Sequence, residues 1–90
     1  MIYLITYDLK SPGKDYNTLY DTIKTAPYWW HHLESTWIIQ TEQSVTYWSE
    51  KIRNVIDQND LFLIVDITEQ PRQGWLKKTA WEWIREKEKM

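Results

Sequence analysis

Apolar and polar residues along this chain fall into blocks whose spacing predicts an element for each. Ile2 to Tyr7 is apolar or aromatic on both alternating sets, with Ile2, Leu4 and Thr6 on one and Tyr3, Ile5 and Tyr7 on the other. That pattern predicts a strand inside a sheet, covered on both faces. Lys10-Ser11-Pro12-Gly13-Lys14 is a loop. Asp15 is a suitable N-cap for a helix from about Tyr16 to Thr25, where Tyr16, Leu19, Tyr20 and Ile23 recur at helical spacing. Pro27 stops that helix. Tyr28 to Thr41 is β-rich and divides into Tyr28–Leu33 and Thr36–Thr41 around Glu34-Ser35. Glu-Ser is a poor hairpin pair, so one long bent strand is the alternative. Ser44 can cap a second helix from Val45 to Asp57, with Val45, Trp48, Ile52, Val55 and Ile56 as its apolar stripe. Leu61 to Ile67 is the last strand, with Leu61, Leu63, Val65 and Ile67 expected to meet the helices and Phe62, Ile64 and Asp66 to face away. Thr79 and Glu82 have capping-box spacing and start a closing helix from about Ala80 to Lys87, within a helical region of about 76–88.

The order β-α-β-β-α-β followed by a helix predicts an α+β fold of ferredoxin-like type. Two helices lie on one face of a four-stranded antiparallel sheet, and the C-terminal helix is an addition. Ninety residues make a single domain, 1–90. The second sheet face then carries apolar side chains that need a cover, either the closing helix or a second copy of the chain. A homodimer is expected on that ground.

Composition adds three constraints. Seven Trp, six Tyr and one Phe fill a small core, with a surplus that suits an interface. The absence of cysteine excludes disulfides and thiolate metal sites and is compatible with a reducing cytoplasm. No apolar run reaches the roughly 20 residues of a membrane span, and the start is unlike a signal peptide. Net charge is −2 but uneven: residues 1–70 hold five Lys/Arg against ten Asp/Glu, and residues 71–90 hold six against three. Lys77, Lys78, Arg85 and Lys87 lie close to Trp75, Trp81 and Trp83. They either contact the phosphates and bases of a nucleic-acid strand or form the solvated side of a helix docked through its Trp residues. With glycine only at 13 and 74, no phosphate-binding glycine loop exists, which argues against a nucleotide-cofactor enzyme.

Asp8 closes the first strand just before the loop. A carboxylate there is either a turn former or a rigidly held metal ligand or base. His31 and His32 are adjacent in a strand, so they face opposite ways and at most one shares a site with Asp8. His31 is a candidate general acid, or else a histidine held among Tyr28, Trp29, Trp30 and Trp37.

Tyr7-Asp8-Leu9 at the end of the first strand, Ser35-Thr36-Trp37 in the second β segment and the closing Leu61–Ile67 strand resemble the second CRISPR-associated (Cas) protein family and its VapD-type relatives, over about residues 1–67. The resemblance implies a dimeric ferredoxin-like protein that is either a metal-dependent nuclease or a structural subunit holding DNA. It implies that Asp8 binds Mg²⁺, with Mn²⁺ as substitute, together with the partner's Asp8, and that Ser35 lies near enough to bond a phosphate oxygen. One departure is plain: Tyr16 to Asp21 holds no basic residue, where the family often carries one. The expected function is a nucleic-acid-associated homodimer acting on RNA or DNA, as a divalent-metal-dependent endoribonuclease with Asp8, Ser35 and His31 at its site. The alternative is a non-catalytic interaction or inhibitor protein on the same scaffold, docking a protein partner through its acidic body and surplus Trp.

Overall fold

The computed structural model describes residues 1–90, with elements β1 (Ile2–Asp8), α1 (Asn17–Ile23), β2 (Tyr28–Leu33), β3 (Thr36–Gln40), α2 (Val45–Arg53), β4 (Leu61–Asp66) and α3 (Lys78–Lys87). The four strands form one antiparallel sheet in the order β2-β3-β1-β4. This is the ferredoxin-like arrangement with an extra C-terminal helix. β1 is central, as its two apolar faces require.

Local signals formed where sequence placed them, with shifts at the ends. Ser44 caps α2, its hydroxyl accepting from the Tyr47 amide at 3.0 Å. α2 stops at Arg53, earlier than Asp57, and Val55 and Ile56 pack on the core from the turn that follows. Asp15 accepts from the Asn17 amide at 2.9 Å one residue ahead of the α1 cap position, Tyr16. Pro12 and Gly13 (φ 81°) carry the signature of a type II turn, closed by Lys14 N–H to Ser11 O at 3.1 Å. The Thr79/Glu82 capping box does not form: α3 begins at Lys78, and its cap residue Lys77 makes no side-chain cap bond. Packing of Ala80 and Ile84 on the sheet holds this helix instead.

The hairpin exists as two strands joined by Glu34-Ser35, with Leu33 paired to Thr36. Neither turn residue has positive φ, so the turn is not one of the primed types that match strand twist. The ladder breaks beside it: Trp30 pairs with Ile38 and Leu33 with Thr36, so β2 holds one extra residue, a β-bulge at His31-His32.

Two cores lie on opposite faces of the sheet. Tyr3, Ile5, Tyr7, Trp37 and Ile39 meet Leu19, Ile23, Trp48 and Ile52 of α1 and α2. Ile2, Trp30 and Ile38 meet Ala80 and Ile84 of α3. β4 sits the other way round from the sequence expectation. Phe62 and Ile64 pack on the α1/α2 core, while Leu61, Leu63 and Val65 are 60, 58 and 40% exposed on the α3 face, beyond the reach of that helix. Both alternating sets of β4 are apolar, so alternation carries no direction. Register with β1 decides it, by pairing Phe62 with Tyr7 and Ile64 with Ile5.

Loops are tied down by carboxylates. Asp60 is buried and accepts from the Lys10 amide (2.7 Å), the Asp57 amide (2.8 Å) and the Tyr16 hydroxyl (2.9 Å), while Asp57 accepts from the Ser11 hydroxyl at 2.5 Å. Together they lock the β1–α1 loop onto the α2–β4 turn. Glu88 at the end of α3 holds the Arg72 guanidinium (2.9 Å) and the Glu69 amide (3.0 Å), which fastens the connector between β4 and α3. Burial opposes charge on Asp60, but the Lys10 and Asp57 amides and the Tyr16 hydroxyl outweigh it and hold the pKa below its ordinary 3.8. The Ser11 hydroxyl does the same for Asp57, Thr68 for Asp66 and Arg72 for Glu88. A carboxylate whose pKa falls on folding stabilises the fold above its unfolded pKa, and that contribution is lost as pH drops through the folded value. The melting temperature by circular dichroism should therefore stay level from pH 7 to about 5 and fall steeply below about pH 4. A level profile down to pH 3 would contradict this account.

Candidate functional site

Asp8 is the last residue of β1, and pairing with Leu61 places it on the face that carries Ile2, Leu4, Thr6, Leu63 and Val65. Its side chain is 64% exposed, and Oδ2 lies 2.7 Å from Lys10 Nζ. The contact raises the Lys10 pKa, through the hydrogen bond first and the charge of Asp8 second. A shallow depression runs beside it, lined by Thr6, Asp8, Leu61 and Leu63.

Ser35 lies at the same end of the sheet. Its carbonyl accepts from the Tyr7 amide at 3.1 Å and the Thr6 hydroxyl at 3.3 Å, which anchors the β2–β3 turn beside the end of β1. Its own side chain is exposed. Thr6 and Thr36 hydroxyls meet at 3.2 Å between the two strands.

His31 lies on the opposite face from Asp8. Its ring stacks on Trp37 with centroids 3.8 Å apart and planes 13° from parallel, and its Nε2 is 3.2 Å from the Glu34 carbonyl. Trp37 donates Nε1–H to the Tyr7 hydroxyl at 3.0 Å and lies against Tyr20 and Trp29. Burial raises the Tyr7 pKa, the Trp37 N–H works against that, and Tyr20 adds to it. The histidine on the Asp8 face is His32, edge-on to Trp30 with centroids 5.1 Å apart. The two histidines continue the alternation of Trp29 and Trp30, which pair with Ile39 and Ile38, and the sequence alone does not say which of those two faces also carries Asp8.

The four basic residues of the tail divide. Lys77 and Lys78 stand exposed at the start of α3, Lys78 within 3.8 Å of Glu82. Arg85 is exposed. Lys87 lies across the Tyr28 ring at 4.0 Å with its side chain only 14% exposed, so it belongs to the packing of α3 on β2.

The residues of one protomer do not fit a resident cation. Asp8 is a lone carboxylate held by an ammonium, and no group of three or more His, Asp or Glu side chains lies close enough to share a metal. No helix is long and apolar enough to cross a membrane. Protein-family models, curated proteins and solved structures were all compared with this chain, and none matches it.

Proposed function

We propose that this chain works on nucleic acid as a homodimer, with Asp8 of each copy at the centre of its site. The observation that carries the reading is the company Asp8 keeps. It borders an open apolar patch of Leu61, Leu63 and Val65 on β4, an edge strand whose outer side has no neighbour. Such a patch is a natural seat for a second subunit, and an unpaired edge invites one. Two copies joined there by a two-fold axis bring their Asp8 carboxylates toward each other. Carboxylates so placed repel, and a hard cation such as Mg²⁺, or Mn²⁺ in its stead, relieves the repulsion and supplies an activated water for phosphodiester cleavage when bound. Lys10 is close enough to move from Asp8 to a phosphate oxygen, and Ser35, exposed at the same end of the sheet, would donate its hydroxyl to another.

The test is cleavage of labelled single-stranded RNA and duplex DNA by wild type and Asp8→Asn, with Mg²⁺, Mn²⁺ or EDTA, alongside light scattering at micromolar concentration. Wild type is expected to be a dimer and to cut in the presence of metal, and Asp8→Asn to lose at least about 100-fold in rate. Leu63→Glu, at an exposed position, is expected to give a folded monomer. A monomeric wild type overturns the reading.

A second reading is a non-catalytic interaction protein on the same scaffold. The Asp8–Lys10 ion pair favours it, since it satisfies both charges without any ligand. A dimer that binds nucleic acid or a protein partner but never cleaves would establish it.

A further inference from the structure

We propose that the groove between α3 and the end of β2 is a stacking site for unpaired bases of single-stranded nucleic acid, with Lys77 taking a phosphate. The inference rests on the proposed function for the class of partner, and it adds a second site and the kind of strand.

The groove has a volume of about 540 Å³, and its walls include Trp30, His32, Trp75, Leu76, Lys77 and Trp83. That is the size of pocket that small flat ligands occupy. Trp75 and His32 are exposed in the lining, Trp83 is half-buried and Trp30 is buried, so the rings open to a ligand are those of Trp75, Trp83 and His32. The bulge in β2 builds one wall: its extra residue turns Leu33 to the same side as Trp30 and His32, where an unbroken strand would alternate them.

Trp75 is the telling residue. It is fully exposed in the connector just before α3 and contributes no burial to either core. A solvent-standing indole at the mouth of an aromatic groove is what base stacking uses. The charge agrees. Lys77 is the one charged residue in the lining, no carboxylate enters it, Lys78 stands beside it, and the chain from 71 onward is basic. An anionic backbone fits those cations. A proline-rich peptide also suits Trp-lined grooves, but an uncharged backbone leaves Lys77, the one cation in the lining, without a role. A duplex keeps its base faces stacked inside, so the strand must be single.

The groove also leads to Asp8. Leu33 pairs with Thr36, and Thr36 with Thr6, all on one sheet face, so the groove wall and Thr6 are two strand spacings apart, roughly 10 Å. Thr6 lines the depression beside Asp8. A strand stacked on Trp75 and Trp83 can therefore extend across Thr36 and Thr6 to that carboxylate.

The experiment is fluorescence anisotropy of an end-labelled octauridylate and of a same-length duplex, with wild type, Trp75→Ala and Lys77→Ala, at several salt concentrations in EDTA. Wild type is expected to prefer the single strand. Trp75→Ala should weaken it about 10-fold with an unchanged melting temperature, since the residue is fully exposed. Lys77→Ala should lower the salt slope by about 0.7. Loss of octamer binding in Trp75→Ala and loss of cleavage in Asp8→Asn are read from different variants in different assays, so the groove and the proposed function can fail separately. Unchanged binding by Trp75→Ala, preference for the duplex, no binding by wild type, or uridine monophosphate binding as tightly as the octamer would each overturn the proposal. So would capture of a proline-rich peptide through Trp75 by a protein that ignores the octamer.

Discussion

Trp37→Ala is expected to cost about 3–5 kcal/mol of stability and to lower the urea midpoint sharply. A domain of this length has about 5–13 kcal/mol to lose. Trp37 is 1% exposed and lies where β3 meets α1 and the hairpin. Its ring is covered by His31 on one side and neighboured by Tyr20 and Trp29, and its N–H satisfies the buried Tyr7 hydroxyl. Truncation opens a cavity between rigid rings that cannot collapse into it, and it leaves Tyr7 without its donor. Trp37→Phe keeps most of the volume and loses only the N–H, so it should cost about half as much. Urea denaturation followed by circular dichroism at pH 7 separates the two variants. Equal midpoints for Trp37→Ala and wild type would mean that the aromatic cluster is not what holds the sheet to α1.

Asp60→Ala is the second large effect, about 3 kcal/mol. One carboxylate, 6% exposed, receives two backbone amides and a phenol, two of these donors from the β1–α1 loop and one from its own turn. Alanine leaves those donors buried without acceptors and frees the β1–α1 loop from the α2–β4 turn. Asp60→Asn keeps the shape and loses the charge, so it should cost less and should also soften the drop in melting temperature below pH 4. Hydrogen exchange at the Lys10 and Asp57 amides reads the site directly. Those two amides should exchange faster in Asp60→Ala, while the Ile5 amide in the sheet should slow or quicken only with global stability. Unaltered exchange at Lys10 would sink the claim that Asp60 pins the loop.

The loop it pins begins immediately after Asp8, which connects this fold element to the candidate site. Asp8 could be picked out early because a carboxylate ending an apolar strand is a local pattern. Its pairing with Lys10 was equally local, two residues along, and a closer reading of that spacing could have found it. The aromatic groove could not be found that way. Trp75 and Lys77 are neighbours in sequence, but Trp30 and His32 reach them only after α3 folds back across the sheet.

Ser44, Asp15 and the Pro12-Gly13 turn were legible because each acts on backbone groups within three residues of itself. The interior place of β1 was legible for a related reason, since a strand apolar on both faces has nowhere else to go. The orientation of β4 was not. Leu61, Leu63 and Val65 are as apolar as Phe62 and Ile64, and hydrogen-bonded register with β1, fixed 50 or more residues away, chose which set went inside. The side of the sheet that Leu33 occupies was also undetermined in the chain. The bulge that turns it exists only once β2 and β3 have paired. Short-range hydrogen bonding and burial periodicity are written into a sequence, whereas the choice between two equally apolar faces is made by the neighbours that a strand meets on folding.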